Sequence, residues 1–173
     1  ILIISPVSSE LKVKIKGLSE PMGLTCEFSD DVKSWEDFDV ALVGHERLKQ
    51  LNNFISKMKN LSFIQTLSAG VDMIDFRSFP KDILLCSNAN AYSRPVAEHA
   101  ISMALALRKN LFYNHVQMGK GMFNQMTENR SLQDAKVGII GYGGIGREIG
   151  KFSIELGMKV LTVSRNSVSD SVV

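Results

Sequence analysis

The stretch KVGIIGYGGIGREIG, residues 136–150, decides the fold of the region around it. An apolar run typical of a buried strand leads into three glycines, and an amphipathic helical pattern follows. Gly141 would turn the chain off the strand, Gly143 would let the backbone approach a pyrophosphate, and Gly146 would let the helix pack closely on the strand. With the apolar run KVLTVS at 159–164, this pattern predicts a βαβ unit that binds a dinucleotide; the alternative is a glycine-rich turn without a ligand.

The predicted contacts with the dinucleotide lie in this loop and at the end of the second strand. The amides of Gly144 and Ile145 would point at phosphate from the helix N-terminus, where the helix dipole favours anions. About twenty residues further on, Ser164, Arg165 and Asn166 stand where a carboxylate would bind the ribose hydroxyls of NAD. They would instead donate hydrogen bonds and positive charge to a 2′-phosphate, which favours NADP over NAD unless Arg165 is merely solvated. The predicted cofactor-binding residues are Gly141, Tyr142, Gly143, Gly144, Ile145, Gly146, Ser164, Arg165 and Asn166.

Upstream of this unit, short apolar runs alternate with helical patterns. Each run is of the kind that a buried parallel strand shows. The clearest helical pattern, HERLKQLNNFISKMKN at residues 45–60, repeats apolar residues at helical spacing. Strands that alternate with helices predict an α/β fold with a parallel sheet and right-handed crossovers. The predicted strands are at 1–5, 24–28, 39–44, 61–68 and 83–88.

Two further segments lie between these runs and the glycine loop. PVAEHAISMALALRKN, residues 95–110, is a helical pattern with apolar residues on nearly every side, and Ser93 can serve as its N-cap. We therefore predict a buried helix between two domains, with Pro95 in its first turn. Residues 110–134 predict either a helical arm that packs on a second subunit or a local core. The large apolar residues of this segment are at 112, 113, 116, 118, 122, 123 and 126.

Composition and charge exclude several classes of function. The 173 residues include 20 basic and 18 acidic residues, well mixed, so we expect no nucleic-acid or membrane-surface partner. The longest apolar stretch, residues 95–107, is interrupted by charge and too short to span a bilayer, and the N-terminal residues lack a signal-peptide pattern. Cys26 and Cys86 are expected to be buried free thiols in a cytoplasmic protein. No histidine and cysteine cluster has metal-ligand spacing, so we expect no metal site.

Four motifs, in order and at characteristic spacing, resemble the D-isomer-specific 2-hydroxyacid dehydrogenases. This family includes glyoxylate/hydroxypyruvate reductases and glycerate and phosphoglycerate dehydrogenases. The resemblance implies a flavodoxin-like substrate domain at 1–92, followed at 93–173 by the first half of a Rossmann dinucleotide-binding domain. The motifs are TLSAGVDMID at 66–75, SNANAYSRPVAEHA at 87–100, VGIIGYGGIG at 137–146 and LGMKVLTVSR at 156–165.

The resemblance also implies where a substrate would bind. In the family, the loop that matches Ser68, Ala69, Gly70 and Val71 offers backbone amides to the substrate carboxylate, and a turn of small residues suits an anion. The alternative is an ordinary turn between a strand and a helix. Tyr92 matches a position close to the substrate in lactate-type members, although a core or hinge tyrosine is an equal alternative. Asn90 stands where many members have glycine. Apart from glycine, asparagine is the residue that best tolerates a left-handed conformation.

The expected reaction is hydride transfer between a nicotinamide cofactor and a small 2-keto acid, with glyoxylate or hydroxypyruvate as the expected substrate. Glu98 and His99 invite an acid–base interpretation, but neighbours on a helix point about 100° apart and cannot both face one site. The family's own catalytic arginine, glutamate and histidine lie beyond the matched motifs. We therefore expect the N-terminal part of a homodimeric dehydrogenase, with no catalytic residue among those matched. The alternatives are a corepressor that senses NAD(H) and an inert truncated product.

Overall fold

The computed structural model describes residues 1–165 and divides the chain into two compact units. The first unit runs from Ile1 to Ala89, and the second begins at Asn90. Each unit combines a parallel sheet with helices, as the alternation of apolar runs and helical patterns predicted. The α/β fold class is therefore confirmed.

The first unit is built on a five-stranded sheet in which all neighbouring strands are parallel. Its strands are β1 Leu2–Ile4, β2 Glu27–Phe28, β3 Val40–Val43, β4 Phe63–Thr66 and β5 Leu84–Cys86, and its α-helices are α1 Ser9–Ser19 and α2 Leu51–Ile55. The strand order is β2-β1-β3-β4-β5. In a doubly wound sheet of this order the strand order reverses between β1 and β3, and ligands bind outside the carboxyl ends of the strands at that point.

The core of the first unit lies on both faces of this sheet. Leu2 and Ile4 face one apolar cluster, whereas Ile3 faces a second cluster with Phe28, because side chains alternate along a strand. Burial on both faces explains why these strands are continuous apolar runs in the sequence. The first cluster also contains Ala41, Val43, Leu48, Leu51, Met58, Leu61, Ile64 and Ile74.

The helix predicted at residues 45–60 takes a different form in the structure. His45–Gln50 is a 3₁₀ helix, and only Leu51–Ile55 is α-helical. The segment starts after Gly44, which has no side chain to cap the first turn. Leu48 is buried as the helical spacing predicted, so the apolar face is correct although the hydrogen bonding differs.

The strand predicted at residues 24–28 is confined to Glu27–Phe28. A short 3₁₀ helix ends at Gly23, whose φ of 70° is left-handed. Leu24 then donates its amide to the carbonyl of Ser19, which closes the turn instead of joining the sheet. The chain therefore enters the sheet later than the apolar run suggests.

The second unit contains the predicted βαβ unit. Its elements are α3 Ser93–Arg108, α4 Leu111–Gly119, β6 Lys136–Ile140, α5 Gly144–Glu155 and β7 Lys159–Val163. Strands β6 and β7 are parallel, with Lys136 opposite Lys159 and Ile140 opposite Val163. Helix α3 packs against α5.

Helix α5 is buried chiefly through small residues, while the apolar residues predicted to line one of its faces, Ile149, Phe152 and Leu156, are half-buried. Its buried residues are Gly146, Gly150 and Ser153, whereas Ile145 is 43% exposed. A methyl group on Gly146 would lie 2.2 Å from the carbonyl oxygen of Gly141. The absence of side chains at these positions lets the helix approach the strand and loop closely.

Helix α3 differs from the prediction in its cap and in its burial. The helix begins at Ser93 itself, so Ser93 is not the N-cap; Tyr92 takes that position without a side-chain hydrogen bond. Only Ala97 and Ala106 are buried, and Leu107 is 70% exposed, so the helix is not enclosed on all sides. Within residues 1–165, no helix combines the length and apolarity required to cross a bilayer.

The large apolar residues of 110–134 are exposed, which contradicts the alternative of a local core. Helix α4 carries Phe112 at 65% and Met118 at 60% exposure, and the following loop carries Phe123 at 71%. The loop is tied back to the second unit by polar bonds, such as the Arg108 side chain donating to the carbonyl of Ser131 at 2.6 Å. Polar contacts therefore position this segment, and its apolar side chains point away from the unit.

Candidate functional site

The glycine loop between β6 and α5 forms a row of unpaired backbone donors. Gly141 has a φ of 90°, a left-handed conformation that glycine adopts without strain, and its amide donates to the carbonyl of Val163 at 2.8 Å. The amides of residues 142–146 donate to no acceptor within residues 1–165. These donors converge at the N-terminus of α5, which makes the loop suited to a phosphate group.

Tyr142 contributes packing to this loop. Its side chain is 5% exposed, and a methyl group on Gly150 would lie 2.7 Å from its hydroxyl oxygen. The Arg147 guanidinium lies 5.7 Å from the centre of the Tyr142 ring. Because this side chain fills the space beside α5, a cofactor contact by Tyr142 would come from its backbone.

Ser164 and Arg165 follow β7 directly and are exposed. The hydrogen bond from Gly141 to Val163 brings the end of β7 beside the glycine loop. The structure therefore brings these two predicted cofactor residues to the same edge as the loop. Asn166, the third predicted residue, lies outside the described residues.

Gly144 sits against the turn that precedes α3. A methyl group on Gly144 would lie 2.2 Å from Asn90 Oδ1 and 2.5 Å from Ser93 Oγ, so this position accepts only glycine without rearrangement. Asn90 has a φ of 69°, the left-handed conformation expected for an asparagine in place of glycine. The residues of the 87–100 motif and of the glycine loop are thus in direct contact.

A cavity of about 590 Å³ opens beside this contact. Three basic side chains line it, Arg94, Arg147 and Lys151, together with Glu148. Lys151 donates to Glu148 at 2.7 Å, and this hydrogen bond lowers the pKa of the Glu148 carboxyl. Arg94 is paired with Glu98 at 3.1 Å, so two of the three basic side chains already have acidic partners. No feature of the sequence alone had marked these residues beyond their place near the glycines.

The loop after β4 is a second row of unpaired amides. Thr66 Oγ1 donates to the carbonyl of Ser68 at 2.6 Å, and Ser68 Oγ donates to the carbonyl of Gly70 at 3.0 Å. The amide of Asn88 also donates to the Ser68 carbonyl, at 3.1 Å. These bonds fix the loop through its carbonyl groups. The amides of residues 68–71 donate to no acceptor within residues 1–165, so they remain available to an anion.

The remaining candidates are distributed as follows. Tyr92 belongs to the second unit, is 53% exposed and does not cap α3 with its side chain. Glu98 binds Arg94 at 3.1 Å, and both Glu98 and His99 are exposed. Cys26 is buried, whereas Cys86 is only half-buried.

A hydrogen-bonded pair at the carboxyl edge of the first sheet, Ser5 and Glu46, was not identified from the sequence. Ser5 follows β1 and donates from Oγ to Glu46 Oε1 at 2.9 Å. A methyl group on Gly44 would lie 2.2 Å from Glu46 Oε1 and 2.5 Å from Ser5 Oγ, so both side chains fold over Gly44. The available signal was position, since Ser5 and Gly44 are the last residues of two predicted strands.

Comparison with known proteins finds similarity to 2-hydroxyacid dehydrogenases. The profile of the family "D-isomer specific 2-hydroxyacid dehydrogenase, NAD binding domain" matches residues 101–172. A hydroxypyruvate reductase from Thermotoga maritima is 29% identical over 122 residues, which are 69% of this chain and 40% of that protein. A glyoxylate/hydroxypyruvate reductase A from Arabidopsis thaliana is 31% identical over 114 residues, 64% of this chain and 36% of that protein.

Solved structures give the same result. A glycerate dehydrogenase related protein from Thermoplasma acidophilum is 32% identical with a TM-score of 0.71. The match covers 99% of this chain and 56% of that protein's chain. A D-lactate dehydrogenase from Aquifex aeolicus, complexed with NAD and lactic acid, is 27% identical with a TM-score of 0.76, covering 98% of this chain and 53% of its own. This chain thus spans about half the length of these structures and about 40% of the first sequence relative.

Proposed function

Because the chain belongs to the D-isomer specific 2-hydroxyacid dehydrogenase family, we propose that the whole protein transfers a hydride between NAD(P)H and a small 2-keto or 2-hydroxy acid. Glyoxylate and hydroxypyruvate are the proposed substrates. The observation that carries the proposal is the row of unpaired amides at residues 68–71. Residues 1–92 would form a flavodoxin-like substrate domain, and residues 93–173 would begin a Rossmann cofactor domain.

The substrate carboxylate would bind the amides of Ser68, Ala69, Gly70 and Val71. The carbonyl groups of Ser68 and Gly70 are held by hydrogen bonds, so the peptide units that carry the next amides are oriented before a ligand arrives. Such preorganised donors hold a carboxylate without reorganisation and fix the position of the neighbouring C2 atom. Tyr92 would donate its phenol to the carboxylate or to the hydroxyl of the product.

The cofactor would bind at the glycine loop. The unpaired amides of residues 142–146 would receive the pyrophosphate, and Gly144 and Gly146 keep that end of α5 free of side chains. When bound, the nicotinamide supplies the hydride. Ser164, Arg165 and Asn166 would bind a 2′-phosphate and so favour NADP, since no carboxylate stands at these positions to repel it. We expect the acid–base histidine outside the positions matched here.

The exposed apolar side chains of α4 and its following loop support a homodimer. Phe112, Met118 and Phe123 are all more than half exposed, which is unusual for a water-facing segment. We propose that they pack against a second copy of the chain. Sedimentation of the full-length protein and of Phe123→Ser over a concentration series tests this, because loss of a central aromatic contact should weaken the dimer about tenfold or more.

The decisive experiment is steady-state kinetics of the full-length protein with NADPH and NADH, using glyoxylate and hydroxypyruvate. We expect oxidation of the reduced cofactor, with kcat/KM higher for NADPH. Arg165→Ala should reduce the NADPH preference by about tenfold, because it removes a charge-assisted contact to the phosphate. Lys159→Ala, a charge change at the start of β7, is the matched control. Tight binding of the cofactor without turnover of any 2-keto acid would favour the corepressor alternative.

A further inference from the structure

The carboxyl edge of the first sheet carries a negative charge at the point where the strand order reverses. Ser5 follows β1 and Gly44 follows β3, and these are the two strands on either side of the reversal. Glu46 accepts the Ser5 hydroxyl at 2.9 Å, so its carboxylate spans the gap between the two strand ends. In sheets of this order a ligand enters at this position.

The carboxylate of Glu46 also lies close to the loop proposed to hold the substrate. The amide of Leu67 donates to the carbonyl of Val43 at 2.9 Å, so the end of β4 lies beside the end of β3. Neighbouring strands are about 4.8 Å apart, which puts the Glu46 carboxylate one to two strand spacings, roughly 5–10 Å, from the end of β4, which residues 68–71 follow. At that separation the carboxylate repels a second negative charge on a ligand, and salt weakens the repulsion.

The orientation of Glu46 is fixed by its surroundings. The space over Gly44 is filled by the Glu46 and Ser5 side chains, since any larger residue at 44 would collide with both. Arg47, the next residue, projects about 120° away on the 3₁₀ helix, and its Nε is buried. The arginine therefore does not share the direction of the carboxylate, which stays exposed at the edge.

We propose that the Ser5–Glu46 pair selects the charge of the substrate side chain at C3. The pair repels 2-keto acids that carry a second anion, such as a 3-phosphate or a 3-sulfonate, and admits those with hydrogen or a hydroxyl group. Ser5 is a positioning residue that holds the carboxylate over Gly44. This inference rests on the proposed function, because it assumes that a 2-keto acid binds at residues 68–71.

The test compares kcat/KM for a 3-phosphorylated 2-keto acid with kcat/KM for hydroxypyruvate in the full-length protein. Glu46→Gln should raise this ratio about tenfold at low ionic strength, and the gain should shrink as salt screens the charge. Ser5→Ala keeps the charge of Glu46 but removes the hydrogen bond that positions it, so this variant should raise the ratio less. Asp82→Asn makes the same change in charge at the amino end of β5, away from the carboxyl ends of the strands, and should leave the ratio unchanged.

The outcomes separate the inference from the function it rests on. If hydroxypyruvate is reduced but Glu46→Gln leaves the ratio within twofold of the unmodified protein, the Ser5–Glu46 pair does not select substrate charge, and the dehydrogenase proposal stands. If Asp82→Asn changes the ratio as much as Glu46→Gln, net charge and not this pair is responsible, which also overturns the inference. If no 2-keto acid is turned over, the proposed function is wrong, and the inference that rests on it is wrong too. Thermal unfolding of each variant confirms that it is folded.

Discussion

The two units contain parallel strands of similar composition, yet they bury these strands very differently. In the first unit Leu2 and Ile64 are fully buried at 0% exposure. In the second, Ile140 on β6 is 91% exposed and Val163 on β7 is 66% exposed. An apolar run therefore predicts a parallel strand, but the layers that cover it decide how much it contributes to stability.

The reason lies in what covers each face. In the first unit, residues before, between and after the strands form apolar clusters on both faces of the sheet. In the second, the described strands β6 and β7 share one crossover helix, and α5 approaches them through glycines instead of large side chains. The first unit is held by apolar burial, whereas the βαβ unit depends on close backbone approach.

The largest expected effect is a contrast between two isoleucines on parallel strands. Ile64→Ala should lower the free energy of unfolding by about 2–5 kcal/mol, because it leaves a cavity in a closed core. Ile140→Ala should cost about 0.5 kcal/mol or less, because no part of residues 1–165 covers that side chain. Urea unfolding of the full-length protein and both variants measures the difference.

The same two variants, Ile64→Ala and Ile140→Ala, can also contradict this contrast between the units. If Ile140→Ala costs as much as Ile64→Ala in the full-length protein, then elements beyond residues 1–165 cover β6. The second sheet would in that case resemble the first once complete, as doubly wound sheets usually do.

A somewhat smaller effect is expected where the βαβ unit depends on close approach. Gly146→Ala should destabilise the protein by about 1–3 kcal/mol and weaken cofactor binding, because the new methyl group would collide with the Gly141 carbonyl. Gly138→Ala is the matched control, since a methyl group there meets no atom within 4 Å. Urea unfolding and titration with NADPH would report the two effects, and equal stability of the two variants would contradict this account of α5.

The sequence predicted the elements well because local pattern determines them. All the predicted apolar runs contain a strand, and the glycine pattern predicted a βαβ unit whose Gly141 is left-handed and whose Gly146 touches the preceding loop. The left-handed turn at Asn90 was also predicted, since few side chains tolerate that conformation. In each case the constraint acts over a few residues.

Most of the errors arose where distant residues decide the outcome. The pattern for α5 did not show that Gly146, Gly150 and Ser153 are its buried residues, because how closely the helix approaches β6 depends on tertiary packing. The cap at Ser93 was wrong for a local reason, since the preceding turn, in which the Ser93 amide donates to the Asn90 carbonyl, starts the helix one residue earlier. The Ser5–Glu46 pair joins residues 41 positions apart and was not predicted, since its formation depends on the order of the strands.

The smallest expected effect contrasts the two units through their surface ion pairs. In the first unit, the hydrogen bond to Glu27 raises the pKa of Lys16, and in the second, the hydrogen bond to Arg130 lowers the pKa of Glu128. A raised lysine pKa stabilises the folded state below the unfolded pKa, and this contribution is lost as pH rises through the folded pKa. A lowered glutamate pKa stabilises above the unfolded pKa, and its contribution is lost as pH falls through the folded pKa.

Alkali should therefore weaken the first pair and acid the second. Lys16→Gln should be slightly less stable than the unmodified protein at neutral pH and should converge with it in alkali, whereas Glu128→Gln should converge with it in acid, below roughly pH 4. Both differences should be small and sensitive to salt because the pairs are exposed. Unfolding free energies measured across the pH range would show the opposite trends, and differences that stay constant with pH would mean that neither ion pair contributes to the stability of its unit.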